Sequence, residues 1–234
     1  MTSSPECIEQ FVPFREGARV LLVGSSGSGK TQFLTRVVQN RDIFFQFPPP
    51  KVIFCSHSGS RDIGTEELQK EMAEDGGKLV EFVQEVPGND VEFPPNTLLI
   101  FDDLLTDTDS GKILEQILPY YRCRAHHERL NCVVTVQTLY SNLKNFGALS
   151  QNVNYLVHFK SPRSMQQIRH FVTQQIGATN LKDIIAAFNF EMKNRAYPNF
   201  YFTFHPLDEK LLHLANLLCE KNEPIVFYQM LSDS

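Results

Sequence analysis

Gly17-Ala18-Arg19-Val20-Leu21-Leu22-Val23-Gly24-Ser25-Ser26-Gly27-Ser28-Gly29-Lys30-Thr31 is the stretch that decides the fold. The run up to Val23 is short, apolar and stops at a glycine, the pattern of a buried strand. Beyond Thr31, Phe33, Leu34, Val37 and Val38 recur at helical spacing. Between strand and helix, Gly24 to Thr31 satisfy the Walker A pattern G-x-x-x-x-G-K-[ST] at every required position. The glycines let the backbone curl until successive N–H groups point inward, and the helix behind them adds its positive end. Lys30 then reaches the outer phosphates of a nucleotide, and Thr31 is the expected magnesium ligand. Gly24, Ser25, Ser26, Gly27, Ser28, Gly29, Lys30 and Thr31 are accordingly the expected nucleotide-binding residues.

Outward from this loop, strands and helices alternate. Phe47-Pro48-Pro49-Pro50 interrupts the chain and Lys51-Val52-Ile53-Phe54-Cys55 supplies a second strand. The polar stretch from Ser56 to Glu92 holds a candidate helix over Glu66 to Met72 and a candidate strand over Val80 to Val86. Thr97-Leu98-Leu99-Ile100-Phe101 is a buried strand, and Ile113, Leu114, Ile117, Leu118 and Tyr121 mark one face of a helix. Cys132-Val133-Val134-Thr135-Val136 and Tyr155-Leu156-Val157-His158-Phe159 are further strands. Helical patterns follow at Ile168, Phe171, Val172, Ile176 and at Leu181, Ile184, Ile185, Phe188, Met192. Tyr201 to Phe204 reads as a late strand and Leu211 to Leu218 as a last helix. This alternation predicts an α/β fold, a P-loop NTPase of the ASCE/RecA-like type with a mostly parallel central sheet flanked by helices. One domain is expected over 1–234, with its core at about 17–206 and a C-terminal helix and strand within 207–230.

Three polar residues at strand ends say what is done with the nucleotide. Asp102, at the end of its strand, is placed to hold magnesium, and Asp103 beside it to take a proton from an attacking water. A solvated loop acid or a helix cap is the plainer reading of Asp103, since Asp107 and Asp109 lie nearby. In this class of sheet the strand after the magnesium strand can insert beside the first one. Gln137 would then stand near the outer phosphate, where it senses nucleotide or orients water.

Composition limits the alternatives. At 42% hydrophobic and 21% charged residues the chain is an ordinary globular protein, neither disordered nor fibrous. No apolar run has the length of a membrane span, and the first residues lack the build of a signal peptide, so an intracellular protein with no membrane partner is expected. Cys7, Cys55, Cys123, Cys132 and Cys219 have no disulfide-like spacing and read as reduced thiols. Cys123, His126, His127 and Cys132 lie close enough in sequence to be weighed as metal ligands, although adjacent histidines do not readily face one ion. A net charge of −5 gives no general attraction to nucleic acid, so any DNA contact must be local.

The chain resembles the FtsK/HerA superfamily of ring-forming DNA-pumping ATPases. It is most similar to the genome-packaging ATPases of eukaryotic DNA viruses and of Polinton (Maverick) virus-like elements. Besides the two nucleotide motifs, the resemblance rests on His126-His127 and on Gln137-Thr138-Leu139-Tyr140. It extends through Ser150-Gln151-Asn152, Tyr155 to Arg163, Gln167-Ile168 and Phe204-His205-Pro206, from about Gly17 to Pro206. Thr138 stands where the family usually has asparagine, Ser164 where it has aspartate, and Phe146-Gly147-Ala148 where it tends to carry an arginine.

The resemblance implies an ATP-driven, magnesium-dependent motor that moves double-stranded DNA into a viral capsid. It implies a homo-oligomeric ring, a hexamer or pentamer, with ATP hydrolysed between subunits, and capsid or portal proteins as partners. The host nucleus or a cytoplasmic virus factory is the implied location, with transient residence at the capsid vertex. Lys30, Asp103 and Gln137 would be catalytic, with an arginine supplied in trans by Arg124 or Arg163; Arg122 and Arg129 are further candidates. A nucleotide-gated capsid or assembly scaffold with little turnover is the alternative from another class. A small P-loop kinase is a third, and Asp103 with Gln137 argues against it.

Overall fold

The computed structural model describes residues 14–57, 79–105, 109–159, 164–175 and 199–204, with 181–182, 185–186, 189, 214–215 and 227–228. The expected helix over Glu66 to Met72 lies outside the described residues. The strands are β1 (Arg19–Val23), β2 (Val52–Ser56), β3 (Val80–Val83), β4 (Leu98–Asp102), β5 (Asn131–Val136), β6 (Tyr155–Phe159), β7 (Asn199–Thr203), β8 (Leu214–Ala215) and β9 (Phe227–Tyr228). Among the described residues they form one sheet in the order β3-β2-β4-β5-β1-β6-β7-β8-β9. Pairing is parallel from β3 through β6 and antiparallel from β6 to β9.

The helices are α1 (Lys30–Gln39), α2 (Arg41–Phe44), α3 (Ser110–Pro119), α4 (Ala125–His127), α5 (Phe146–Gln151) and α6 (Ser164–Gln175), with a π-helical turn over Tyr120–Arg124 joining α3 to α4. Alternation along the strands divides the core by face. Val20, Leu22, Phe54, Ile100, Val133 and Val157 pack with Phe33, Leu34, Val37 and Val38 of α1. Leu21, Val23, Cys55, Phe101, Val134 and Leu156 pack on the opposite face with Leu114 and Ile117 of α3, Leu149 of α5, and Ile168 and Phe171 of α6. A parallel sheet covered on both faces must be apolar on both, which is why these strands read as continuous hydrophobic runs. The architecture is that of a P-loop NTPase, as the sequence predicts, and β5 lies between β4 and β1 as expected.

The expected helix over Leu211 to Leu218 needs correction at Leu214–Ala215. These residues form β8, with Ala215 paired to Tyr201 of β7, and β8 in turn pairs with β9. Without β8 the outer edge of β7 would expose backbone N–H and C=O groups, and pairing that edge outweighs the local helical preference of a leucine-rich segment.

His158 occupies the middle of the sheet, in register with Val23 of β1 and Phe200 of β7, and is fully buried. Burial disfavours its charged form and lowers its pKa from 6.5 to about 4. The folded protein therefore refuses a proton that the unfolded chain accepts. Stability is full above pH 6.5 and falls as pH drops from 6.5 towards 4, by about 3 kcal/mol from this residue. Urea unfolding at pH 7 and pH 5 checks this, with the pH difference expected to shrink in His158→Gln.

Candidate nucleotide-binding site

Every residue of the expected site except the candidate Arg124 and the undescribed Arg163 gathers at the carboxyl end of the parallel strands. The loop after β1 turns through Gly27 and Gly29 at φ 73° and 96°, backbone angles that favour glycine. Gly24 is required for another reason. A Cβ there would run into Ser28 Oγ and lie 2.8 Å from the Cβ of Phe159 on β6. The loop is tied to the neighbouring strand where Gly24 N–H donates to Val136 O at 3.1 Å. α1 begins at Lys30, directly after the left-handed Gly29, so the N–H groups of its first turn face the loop.

Lys30 is 8% exposed and its Nζ donates to the carbonyls of Gly24 at 2.7 Å and Ser25 at 3.1 Å. These bonds hold an ammonium against the inside of the loop, where phosphate oxygens are stronger acceptors than neutral carbonyls.

A chain of hydroxyls and acids links three elements. Thr31 Oγ1 donates to Asp102 Oδ2 at 2.8 Å, and Thr135 Oγ1 on β5 donates to Asp102 Oδ1 at 2.9 Å. The same Thr135 hydroxyl accepts from Asp103 N–H at 2.8 Å. Asp102 is buried, and that burial raises its pKa; the Thr31 and Thr135 hydroxyls pull it down, neighbouring Asp103 pushes it up and Lys30 lowers it. Asp103 is half-buried and adopts φ 53°, a left-handed backbone that aspartate tolerates and that ends the strand alternation immediately after Asp102. Thr135, which bonds to both acids, is a residue of the candidate site that the sequence alone does not single out. Its signal was a single hydroxyl among the valines of β5, on the face shared with Asp102.

The Thr31 hydroxyl and the Asp102 carboxylate suit a magnesium ion: both are hard oxygen donors, they lie 2.8 Å apart, and they sit where a nucleotide phosphate would meet them. Among the described residues there is no group of three or more His, Cys, Asp or Glu side chains able to hold a metal. Cys132 is buried and its Sγ contacts Tyr120 O at 3.7 Å, so it takes no part with exposed Cys123, His126 and His127. Cys55, Cys123 and Cys132 are free thiols.

Gln137 follows β5 directly. Because Val136 is in register with Val23, it is exposed beside the start of the phosphate loop. Gln137, Lys30, Thr31, Asp102 and Asp103 therefore share one end of the sheet.

Arg124 does not join them, and the expectation that its segment lies at the nucleotide end is corrected. A connection that enters a parallel strand does so at the amino end, and Arg124 precedes β5 by two short turns of chain. Its guanidinium is bound within its own chain, to Glu128 through two contacts of 2.7 Å and to Val91 O at 2.6 Å. It lies over the rings of Tyr120 and Phe93, 4.8 and 5.5 Å from their centroids, and is 11% exposed. Such an arginine pins the π-helical turn to the segment before β4, with its Nε and Nη2 donors already committed there. Arg122 is exposed, Arg129 pairs loosely with Glu16 at 3.6 Å, and Arg163 lies outside the described residues.

No family model matches the chain, and no curated protein matches it in sequence. Among solved structures it is similar to the genome packaging NTPase B204 from Sulfolobus turreted icosahedral virus 2. The sulfate complex of that protein is 15% identical, covering 80% of this chain and 91% of B204, at a TM-score of 0.45. The AMP complex is 13% identical over 89% of this chain and 98% of B204, at 0.46. The ATP-gammaS complex is 14% identical over 80% and 92%, at 0.41.

Proposed function

We propose that the chain is a magnesium-dependent ATP hydrolase that drives double-stranded DNA into a viral capsid, acting as a ring with nucleotide sites between subunits. The observation that carries the hydrolase part is the linked set Thr31–Asp102–Thr135–Asp103 facing the Gly24–Lys30 loop. A phosphate cradle alone binds nucleotide. A second acid, fixed by its backbone N–H one residue beyond the buried one, adds a group able to accept a proton from water.

In this reading the backbone N–H groups of the loop bind the phosphates, and Lys30 Nζ exchanges its two carbonyl acceptors for outer phosphate oxygens. Thr31 and Asp102 would hold a magnesium ion, which would draw charge from the phosphate oxygens. Thr135 keeps Asp102 oriented and sets the backbone of Asp103, whose carboxylate accepts the proton as water attacks. Gln137, at the end of the strand that lies between β4 and β1, orients that water.

The DNA part rests on the resemblance carried by Asn152 to Arg163, and on exposed Arg122 as a local cation in an acidic chain. Arg163 is the first remaining candidate for an arginine acting across a subunit boundary; Arg122, exposed but on the same amino-end segment as Arg124, and Arg129, loosely paired with Glu16, come after it. The same role would place the protein in the host nucleus or a virus factory, docking briefly on a capsid or portal protein.

ATP hydrolysis measured with and without long duplex DNA, with Lys30→Ala as the blank, tests this function. The motor predicts stimulation by DNA and a steep loss of DNA binding with added salt, since the contacts go to phosphates. Lys30→Ala mixed with Arg122→Ala or Arg163→Ala is expected to recover part of the activity that each lacks alone. Hydrolysis indifferent to DNA, with no DNA binding at low salt, rejects the motor in favour of a nucleotide-gated scaffold.

A further inference from the structure

Gln137 itself is exposed, yet the residues after it are held by a helix from elsewhere in the chain. Gln167 on α6 spends both ends of its amide on this segment. Its Nε2 donates to Thr138 Oγ1 at 2.7 Å, and its Oε1 accepts from Leu139 N–H at 3.2 Å. Thr138 uses the same hydroxyl to close its own turn, donating to Tyr140 O at 3.1 Å and accepting from Tyr140 N–H at 3.3 Å. One helical turn beyond Gln167, the His170 ring lies 5.1 Å from the ring of Tyr140. Buried Leu139 and Ile168 anchor the two segments in the same core. On the other side of Gln137, Val136 O accepts from Gly24 N–H of the phosphate loop. Gln137 is therefore suspended between two fixed points, one on the phosphate loop and one on α6.

We infer that Gln167 is a positioning residue for Gln137, and that through it the orientation of α6 sets where the Gln137 side chain stands relative to the outer phosphate. The inference rests on the reading of Gln137 as the residue that faces that phosphate. It assigns a physical role to Thr138, whose hydroxyl supplies an acceptor for Gln167 while also closing the turn. A residue without a short side-chain acceptor here would leave the amide of Gln167 with one partner.

Two measurements on the full chain test the assignment. In the nucleotide-free protein, amide hydrogen exchange of Leu139 is expected to accelerate about tenfold in Gln167→Ala. In Gln167→Glu the carboxylate still accepts from Leu139 N–H, so the protection of that amide is expected to persist. In the ATPase assay, Gln167→Ala is expected to lower kcat about five- to tenfold with KM for ATP unchanged, and to add nothing in a Gln137→Ala background. Unchanged exchange at Leu139 overturns the proposal, and so does a kcat loss that persists in full without Gln137. If the parent chain fails to hydrolyse ATP, the proposed function fails, while the exchange experiment still decides whether Gln167 positions this loop.

Discussion

Lys30→Ala is expected to lower kcat for ATP hydrolysis by about two to three orders of magnitude, the usual cost of removing one preorganised charge from a developing phosphoryl transition state. The lysine is held ready for this: its ammonium is 8% exposed and already docked on the Gly24 and Ser25 carbonyls inside the loop. Those carbonyls are weak partners for a cation, so phosphate can take their place without rebuilding the loop. The fold is expected to survive the change, because deleting a buried ammonium also removes its desolvation cost. Phosphate release, measured beside a thermal melt, checks both halves: activity near background with a melting temperature close to that of the parent.

Asp103→Asn is expected to lower kcat by about 10²–10⁴-fold while nucleotide affinity stays close to that of the parent. The amide keeps the shape and the left-handed backbone, since asparagine tolerates φ near 53° as aspartate does, and it keeps the N–H bond to Thr135. What it loses is the ability to accept a proton. Asp102→Asn is expected to behave differently. Asp102 accepts from both Thr31 and Thr135 hydroxyls, so a neutral amide disturbs the magnesium ligand set and weakens Mg·ATP binding as well as turnover. Equilibrium binding of an ATP analogue with magnesium, run beside the kinetics, separates the two acids. An Asp103→Asn chain that hydrolyses ATP at the parental rate removes Asp103 from the role of base.

The sheet was legible because its strands are buried on both faces and read as unbroken apolar runs, three of them closed by a residue of the candidate site. Val23 before Gly24, Phe101 before Asp102 and Val136 before Gln137 all follow this pattern. The order of β4, β5 and β1 followed from the motif class and not from propensity. What escaped the sequence depends on pairing between distant segments. Thr135 looked like one more β-branched residue until its register placed it against Asp102, and the amide of Gln167 acquires meaning only when α6 meets the loop after β5. The leucine-rich stretch around Leu214 carries a helical pattern, and pairing with the edge of β7 overrides it. Arg124 was misplaced by a topological slip: the chain entering a parallel strand arrives at the end opposite the nucleotide. Its charge is consumed there by Glu128, Val91 O and two aromatic faces.

Whether the Gly24–Thr31 loop and the Asp102–Asp103 pair form one magnesium-dependent hydrolytic site is decided by steady-state phosphate release from ATP, titrated with magnesium in the parent, Lys30→Ala and Asp103→Asn chains. Magnesium-dependent turnover is expected in the parent, with loss of turnover in both variants and retained Mg·ATP binding in Asp103→Asn. Turnover that persists in Lys30→Ala, or a parent chain that binds Mg·ATP without releasing phosphate even when oligomeric and given duplex DNA, would contradict a single hydrolytic site.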